Sequence, residues 1–185
     1  MRKNILPYLL FILCLVSCIK ENQTAAELSV GDRIPDFSVT MNDGRVVTGE
    51  ELSQGVSCIV FFTTACPDCR RTLPEVQEVY DEYNAKGVCF VIVSRSEGAE
   101  SIRAYWAEHG FTMPYSAQND AEVYELFAKT RVPRIYICRE GLIRSIFTDT
   151  PLPTAKDLSD SLKSQLNYEI AARFNIFVDS GVFVI

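Results

Sequence analysis

The sequence of 185 residues predicts an α/β fold in which a mixed β-sheet has helices on both faces. Short apolar runs, typical of strands, alternate along the chain with longer amphipathic stretches, typical of helices. Near the end of the chain, the tight-turn signal Glu140-Gly141 separates two apolar runs and predicts an antiparallel pair of strands. The length that remains after an N-terminal leader suits one domain with a substantial core, but not two.

The first half of the domain is predicted to begin with a β-hairpin. Two short apolar stretches flank Asn42-Asp43-Gly44, a common hairpin turn. The strand that follows is nearly all apolar, which is typical of burial on both faces. The first long helix should be kinked at Pro74 and ended by Gly87. The predicted elements are a hairpin within Gly31–Leu52, a strand Cys58–Thr63, a helix Arg70–Lys86 and a strand Val88–Ser94.

The second half of the domain follows from the same patterns. Asp120 is placed to cap a helix in which Val123, Leu126 and Phe127 share one side. The last helix carries a leucine at every fourth position, which indicates one apolar face. The predicted elements are a helix Glu97–His109, a short strand Pro114–Ser116, a helix Asp120–Lys129, strands Ile135–Cys138 and Leu142–Phe147, and a helix Thr154–Tyr168.

A redox-active pair is indicated by Cys66-Pro67-Asp68-Cys69, which follows the first buried strand and opens the first helix. This layout is typical of a thioredoxin-type site. The unpaired N–H groups and partial positive charge at a helix start favour the thiolate, which is the nucleophilic form of cysteine. Pro67 suits the first helical turn, where a missing N–H costs nothing. Half of a structural zinc site has the same spacing, but such a site needs four ligands. A second Cys-x-x-Cys is absent from the sequence and His109 is the only histidine, so we expect neither a metal nor a cofactor.

The N-terminus predicts export and a lipid anchor. Arg2 and Lys3 precede an apolar run from Ile5 to Val16, which is the pattern of a secretory signal and is too short to span a bilayer as a mature helix. Cys18 directly follows this run and a small residue, as in the lipobox of bacterial lipoproteins, in which the cysteine becomes the lipidated N-terminus. An ordinary signal peptide with incidental cysteines is the alternative. We therefore expect a signal peptide (1–17), a lipid-anchored tether (18–29), a domain (30–168) and a C-terminal extension (169–185).

The chain resembles the membrane-attached, extracytoplasmic branch of the thioredoxin superfamily known as TlpA/ResA-like thiol–disulfide oxidoreductases. The resemblance extends over about residues 28–168. It implies a three-layer thioredoxin-like fold with an N-terminal β-hairpin extension, and a lipid-anchored lipoprotein on the periplasmic side of the cell envelope. The features that carry it are the entry segment Val30–Phe37, the active-site block Phe61–Cys69, Pro74 five residues past the second cysteine, Val132-Pro133, and an insertion around Glu97 to Asp120.

The resemblance also implies a role for each site residue. Cys66 is the exposed attacker, which forms a mixed disulfide with a protein substrate, and Cys69 is the recessed resolver. Pro133 lies beside this pair and is preceded by a cis peptide bond; a trans proline in a loop is the alternative. The Val132 backbone then pairs with an extended substrate segment, much as an added strand would.

Two positions depart from the family and bear on the direction of the reaction. Ala65 stands where the family usually has tryptophan, and Thr72 stands where several relatives carry a proton-accepting glutamate. Within the motif, the charge of Asp68 opposes thiolate formation, while Arg70 and Arg71 partly offset it. This balance favours a reductant over a strong oxidant. A reductant in an oxidising compartment requires an electron donor in the membrane.

Two other functional classes remain open. Peroxiredoxins share the fold and use Pro-x-x-x-Thr-x-x-Cys; Thr63 fits that pattern, but Ile59 occupies the proline position. The other class is a non-enzymatic lipoprotein whose Cys-x-x-Cys is structural, or a copper carrier, for which His109 does not fit. The formal net charge is −6 without a block of like charges, so nucleic acid is not an expected partner.

The end of the chain has a pattern of its own. Asn175 to Ile185 contains two apolar runs around Asp179-Ser180-Gly181, which predicts a small hairpin. Such an apolar segment either packs back on the domain or docks a partner or a second copy of the chain.

Overall fold

A computed structural model of the protein describes residues 27–173. The predicted signal peptide, Cys18, most of the tether and the predicted hairpin near the C-terminus lie outside the described residues. Among the helices of residues 27–173, none combines the length and the apolar character that crossing a membrane requires.

Five strands form the central mixed sheet, and two more form the N-terminal hairpin. The strands are β1 (Ser38–Thr40), β2 (Val46–Thr48), β3 (Val56–Phe62), β4 (Cys89–Ser94), β5 (Tyr115–Ser116), β6 (Arg134–Arg139) and β7 (Leu142–Phe147). The order in the sheet is β5-β4-β3-β6-β7. β3 and β5 flank β4 in parallel pairs, whereas β6 and β7 extend the sheet in antiparallel pairs. In the hairpin, Val39 of β1 lies opposite Val47 of β2.

Four α-helices occur within residues 27–173, each overlapping a predicted helix. They are α1 (Pro67–Tyr83), α2 (Ala99–His109), α3 (Glu122–Glu125) and α4 (Ala155–Arg173). Gly87 ends the turn after α1 in the left-handed region (φ 88°), which glycine adopts without strain. Glu140 and Gly141 both have positive φ (53° and 73°), as the tight turn between β6 and β7 requires. α4 continues past Tyr168, where its sequence pattern ends.

The central strand β3 is buried along its whole length and supplies two hydrophobic cores. On one side, Val60 and Phe62 pack against α1, α2 and α4; we call this the helix face. On the other side, Ile59 and Phe61 pack against the hairpin and the residues around α3; we call this the hairpin face. The predicted mixed sheet with helices on both faces and an N-terminal hairpin is therefore confirmed, although the hairpin covers much of the second face.

The prediction of a helix from Asp120 to Lys129 is wrong in length, because α3 is a single turn. The carbonyl of Phe127 accepts hydrogen bonds from the Tyr136 hydroxyl (3.1 Å) and from a backbone N–H of the N-terminal segment (3.0 Å). The N–H groups of Leu126 and Phe127 bond to carbonyls three residues back (3.3 and 2.9 Å) instead of four, so the regular α-helix ends before them. Leu126 is 36% exposed, so it does not share the buried side with Phe127.

Candidate active site

Cys66 and Cys69 lie where β3 leads into α1. Cys66 occupies the N-cap position with an extended backbone (φ −84°, ψ 123°), and Pro67 is the first helical residue. The Arg70 N–H donates to the Cys66 carbonyl (3.0 Å) and closes the first turn. Both cysteines are free thiols, but Cys66 is partly exposed, whereas Cys69 is fully buried in the core of the helix face. The two thiols therefore differ chiefly in their access to solvent and substrate.

The surroundings of Cys69 keep its thiol protonated. Burial raises the pKa of Cys69 well above its ordinary value, and this effect exceeds a backbone hydrogen bond from Thr63 that lowers it. Charges on Cys66 and Asp68 raise the pKa of Cys69 further. Because the thiolate is the attacking form, the accessible Cys66 is better placed to attack first.

Residues 131–133, which we call the proline loop, contact the Cys66 thiol through Val132. The Val132–Pro133 peptide bond is cis, as predicted. The Cys66 thiol donates to the Val132 carbonyl at a sulfur–oxygen distance of 3.5 Å. Arg131 has a positive φ of 70°, and its carbonyl accepts a hydrogen bond from the Tyr124 hydroxyl (2.7 Å). The fold thus brings the predicted substrate-binding residues against the predicted attacker.

The charged residues of the motif form contacts that the sequence did not specify. Arg71 forms an ion pair with Asp68, which offsets part of the negative charge between the cysteines. Arg70 takes no part in this pair: its Nε donates to the Thr64 carbonyl (2.6 Å), and its guanidinium lies 5.8 Å from the centre of the Tyr105 ring. The two arginines therefore have different roles, one neutralising the motif and the other bracing the segment before it.

The two positions that depart from the family have different surroundings. Ala65 is exposed beside the motif. Thr72 is buried, and its hydroxyl donates to the Asp68 carbonyl one helical turn earlier (2.9 Å). Thr72 thus supplies a hydroxyl, but no carboxylate, on the inner side of α1.

Glu97 is a residue of the site that the sequence reasoning missed. Its Oε2 accepts hydrogen bonds from the Thr63 hydroxyl (3.0 Å) and the Thr64 N–H (2.7 Å), and its Oε1 accepts one from the Thr64 hydroxyl. Burial raises the pKa of Glu97, but hydrogen bonds from Thr64, Ser101 and Thr63 outweigh burial and hold the pKa below its usual value. A signal was available: Glu97 follows the carboxyl end of β4, which pairs in parallel with β3, and such ends lie side by side.

Three further cysteines lie on the sheet. Cys58 and Cys138 are buried and Cys89 is partly exposed, and all three are free thiols. Burial raises the pKa of each, to about 12 for Cys138. Within residues 27–173, no group of three or more His, Cys, Asp or Glu side chains is arranged to hold a metal ion.

The chain is similar in sequence to a protein family and to thiol-disulfide oxidoreductases. A family model described as the AhpC/TSA family matches residues 30–147. The thiol-disulfide oxidoreductase ResA of Oceanobacillus iheyensis is 29% identical over 115 residues, which cover 60% of this chain and 59% of that protein. ResA of Geobacillus thermodenitrificans is 24% identical over 138 residues, which cover 74% of this chain and 78% of that protein. The chain thus spans less than two thirds of the length of the first of these relatives.

Solved structures share the fold. A candidate protein disulfide isomerase from Bacteroides thetaiotaomicron superposes with a TM-score of 0.69 at 21% identity, over 79% of this chain and 95% of that one. A thiol:disulfide interchange protein of the thioredoxin family from Chlorobium tepidum superposes with a TM-score of 0.63 at 21% identity, over 76% and 99% of the two chains. At these identities the likeness shows the fold, and it confirms the predicted thioredoxin-like class.

Proposed function

The chain belongs to the AhpC/TSA family, and we propose that it is an extracytoplasmic thiol–disulfide oxidoreductase that reduces disulfides of exported proteins. The difference between its two motif thiols carries this proposal. Cys66 is accessible at a helix start, and Cys69 is buried within hydrogen-bonding contact of it. The relatives named thiol-disulfide oxidoreductase support the same class of reaction.

The two thiols can act in sequence. The Cys66 thiolate attacks one sulfur of a substrate disulfide, so that a Cys66–substrate disulfide forms and the second substrate sulfur leaves as a thiolate, which takes up a proton. Cys69 then gives up its proton and attacks the Cys66 sulfur. The Cys66–Cys69 disulfide forms, the first substrate sulfur leaves, and two electrons have passed to the substrate.

The proline loop supports a site for an extended substrate segment. Because the Val132 carbonyl lies 3.5 Å from the Cys66 sulfur, a substrate strand that pairs with the Val132 backbone would carry its own cysteine past Cys66. Pro133, the next residue, is buried. Main-chain pairing is independent of the substrate sequence, which suits an enzyme that acts on several exported proteins.

Turnover and location depend on the membrane. Each cycle leaves the protein oxidised, so it requires an electron donor, which we place in the membrane because the compartment outside the cytoplasm is oxidising. A signal peptide at 1–17, a lipid on Cys18 and a tether to residue 29 would hold the domain at the membrane surface. Cys18→Ser should release the protein from membranes; a variant that remains in the membrane fraction would contradict the anchor.

The decisive experiment compares three single cysteine variants in insulin-disulfide reduction. Cys66→Ser should lower turnover by roughly a thousandfold or more, because the attacking sulfur is gone. Cys69→Ser should instead accumulate a mixed disulfide on Cys66, visible by mass spectrometry. Alkylation of Cys69 in the native protein should require a much higher pH than that of an ordinary thiol, because burial raises its pKa.

Cys89→Ser is the matched control, because Cys89 is a partly exposed thiol at the start of β4 and lies outside the motif. It should reduce insulin at the rate of the native protein. If Cys66→Ser retains full activity, or if Cys69→Ser forms no mixed disulfide, the assignment of the two thiols is wrong.

A hydrogen peroxide assay beside the insulin assay tests the alternative of a thiol peroxidase. Ile59, at the position of the peroxiredoxin proline, is buried in the middle of β3, and the Thr63 hydroxyl donates to Glu97 rather than to Cys66. Both observations favour the oxidoreductase. Rapid consumption of hydrogen peroxide together with failure to reduce insulin would reverse this choice.

A further inference from the structure

The segment between β3 and α1 touches both cysteines of the motif. The carbonyl of Thr63 accepts a hydrogen bond from the Cys66 N–H (3.2 Å), and the backbone of Thr63 donates to the Cys69 sulfur. The next residue, Thr64, is held through its carbonyl by Arg70 of α1 (2.6 Å). A shift of this segment would therefore change the position of the Cys66 sulfur relative to the Cys69 sulfur.

A single carboxylate holds this segment from the neighbouring strand. Glu97 accepts hydrogen bonds from the Thr63 hydroxyl and from both the N–H and the hydroxyl of Thr64. These three donors are 33 or 34 residues away from Glu97 along the chain. They leave the segment little freedom, because backbone and side chains are fixed at once.

Glu97 is itself fixed in place. The Ser94 hydroxyl, at the end of β4, donates to the Glu97 carbonyl (2.8 Å) and accepts from the Gln118 N–H (2.8 Å). Glu97 and Gln118 also form an isolated antiparallel bridge. The carboxylate is therefore presented to the segment from a rigid base rather than from a mobile loop.

We propose that Glu97 is a positioning residue of the redox site, which sets the geometry of Cys66 and Cys69 through Thr63 and Thr64. This role rests on the proposed function, because it assigns to Glu97 the alignment needed for Cys69 to attack Cys66. Glu97 does not touch the reacting sulfurs; it acts through the segment that does. It also occupies a different part of the site from Thr72, where several relatives carry an acidic residue on α1.

Two substitutions separate positioning from charge. In Glu97→Gln, the amide oxygen can accept from the Thr63 hydroxyl and the Thr64 N–H, while the amide NH₂ can donate to the Thr64 hydroxyl, which can turn to accept. The negative charge is lost but the segment is still held. In Glu97→Ala, both the charge and all three hydrogen bonds are lost. The two variants should therefore behave differently only if geometry is what matters.

The test makes two measurements on variants at equal folded fraction. The first is the lifetime of the mixed disulfide between Cys66 and glutathione, and the second is the kcat and KM of insulin reduction. Glu97→Ala should slow resolution by Cys69 and lower kcat by about tenfold, a change that corresponds to the energy of roughly one charge-assisted hydrogen bond, with KM nearly unchanged. Glu97→Gln should remain within about threefold of the native protein. Glu100→Ala, an exposed glutamate in the first turn of α2, is the matched control and should change neither quantity.

Thr64→Val approaches the same contact from the other side and keeps the backbone N–H, so it tests the idea even if Glu97→Ala fails to fold. It should slow resolution by a few-fold, and combining it with Glu97→Ala should add little, because both remove the same bond. If Glu97→Gln is as slow as Glu97→Ala, or if Glu97→Ala matches the native protein, the positioning role is wrong. The glutathione reaction does not depend on the natural substrate, so a native protein that resolves glutathione but ignores insulin would contradict the proposed function and not the role of Glu97.

Discussion

The two faces of the sheet hold the two halves of the site by different means. On the helix face, α1 carries both cysteines and packs through apolar side chains such as Leu73 and Val76. On the hairpin face, the buried layer includes polar groups: Arg134 is only 4% exposed, and the hydroxyls of Tyr124 and Tyr136 both donate to backbone carbonyls. Apolar packing is tolerant of small shifts, whereas hydrogen bonds fix distance and direction.

This difference suits what each face must hold. The helix face needs a dry pocket around Cys69, since burial is what raises the pKa of that thiol. The hairpin face needs to hold backbone, because the substrate contact that we propose for the proline loop is made by its main chain. Tyr124 and Tyr136 reach the carbonyls of Arg131 and Phe127, which lie on either side of the turn from α3 into β6. We therefore expect substitutions on the two faces to lower the free energy of unfolding by similar amounts, but to change different kinetic constants.

The largest expected effect comes from two neighbouring phenylalanines that point to opposite faces. Phe61 packs on Tyr124, Phe127 and Tyr136, with ring centres 4.9–6.3 Å apart, whereas Phe62 packs on Trp106 at 5.0 Å. Replacing either with alanine should lower the free energy of unfolding by about 3–5 kcal/mol, measured in urea, because both are fully buried.

Kinetics should then separate the two variants. Phe61→Ala loosens the support of the proline loop and should raise the KM for insulin, while Phe62→Ala disturbs the segment that leads to Cys66 and should lower kcat. Equal changes in KM for the two variants, at matched folded fraction, would show that the faces do not hold separate halves of the site.

Most of the fold follows from the sequence because its signals are local. The apolar run of β3, the Glu140-Gly141 turn and the bounds of β7 each depend on residues that are close neighbours in the chain. The local pattern failed at α3, where the Leu126 and Phe127 N–H groups bond three residues back and the Phe127 carbonyl accepts from Tyr136 and from the N-terminal segment. Apolar spacing alone carries no information about such hydrogen bonds.

The site divides in the same way. Cys66 and Cys69 are apparent from their spacing, and Val132-Pro133 from the family resemblance. Glu97 could not be placed by either route, because its donors follow β3, more than thirty residues earlier in the chain, and its own segment resembles the start of a helix. A contact of this kind becomes visible only when the carboxyl ends of β3 and β4 are brought together.

An intermediate effect should come from the ion pair between Glu27 and Arg134, which are 107 residues apart. The Arg134 side chain is 5% exposed and that of Glu27 is 50% exposed, and the buried Nε of Arg134 has no hydrogen-bond partner within residues 27–173. Glu27→Gln should cost about 1–2 kcal/mol of unfolding free energy, because it leaves a buried cation without its counter-charge.

Arg134→Met is the informative partner of this variant. It removes the buried charge together with its unsatisfied Nε and leaves a side chain of similar volume, so it should be neutral or slightly stabilising. Urea unfolding measures both. If Arg134→Met costs as much as Glu27→Gln or more, the polar layer of the hairpin face stabilises the fold directly and does not merely specify its geometry.

The smallest expected effect concerns a single hydroxyl. Tyr124→Phe removes the hydrogen bond to the Arg131 carbonyl (2.7 Å) and should lower the unfolding free energy by only about 0.5–1.5 kcal/mol. Arg131 is exposed, so water can reach its carbonyl and limit the loss. The kinetic effect should be more specific. The proline loop loses its hydrogen bond to Tyr124, and the KM for insulin should rise about twofold to threefold while kcat is preserved.

Tyr136→Phe is the control, because the Phe127 carbonyl keeps a backbone donor when that hydroxyl is removed. The KM of this variant should not change. A rise in KM for both variants would mean that general softening of the hairpin face, rather than the tie to Arg131, governs substrate binding.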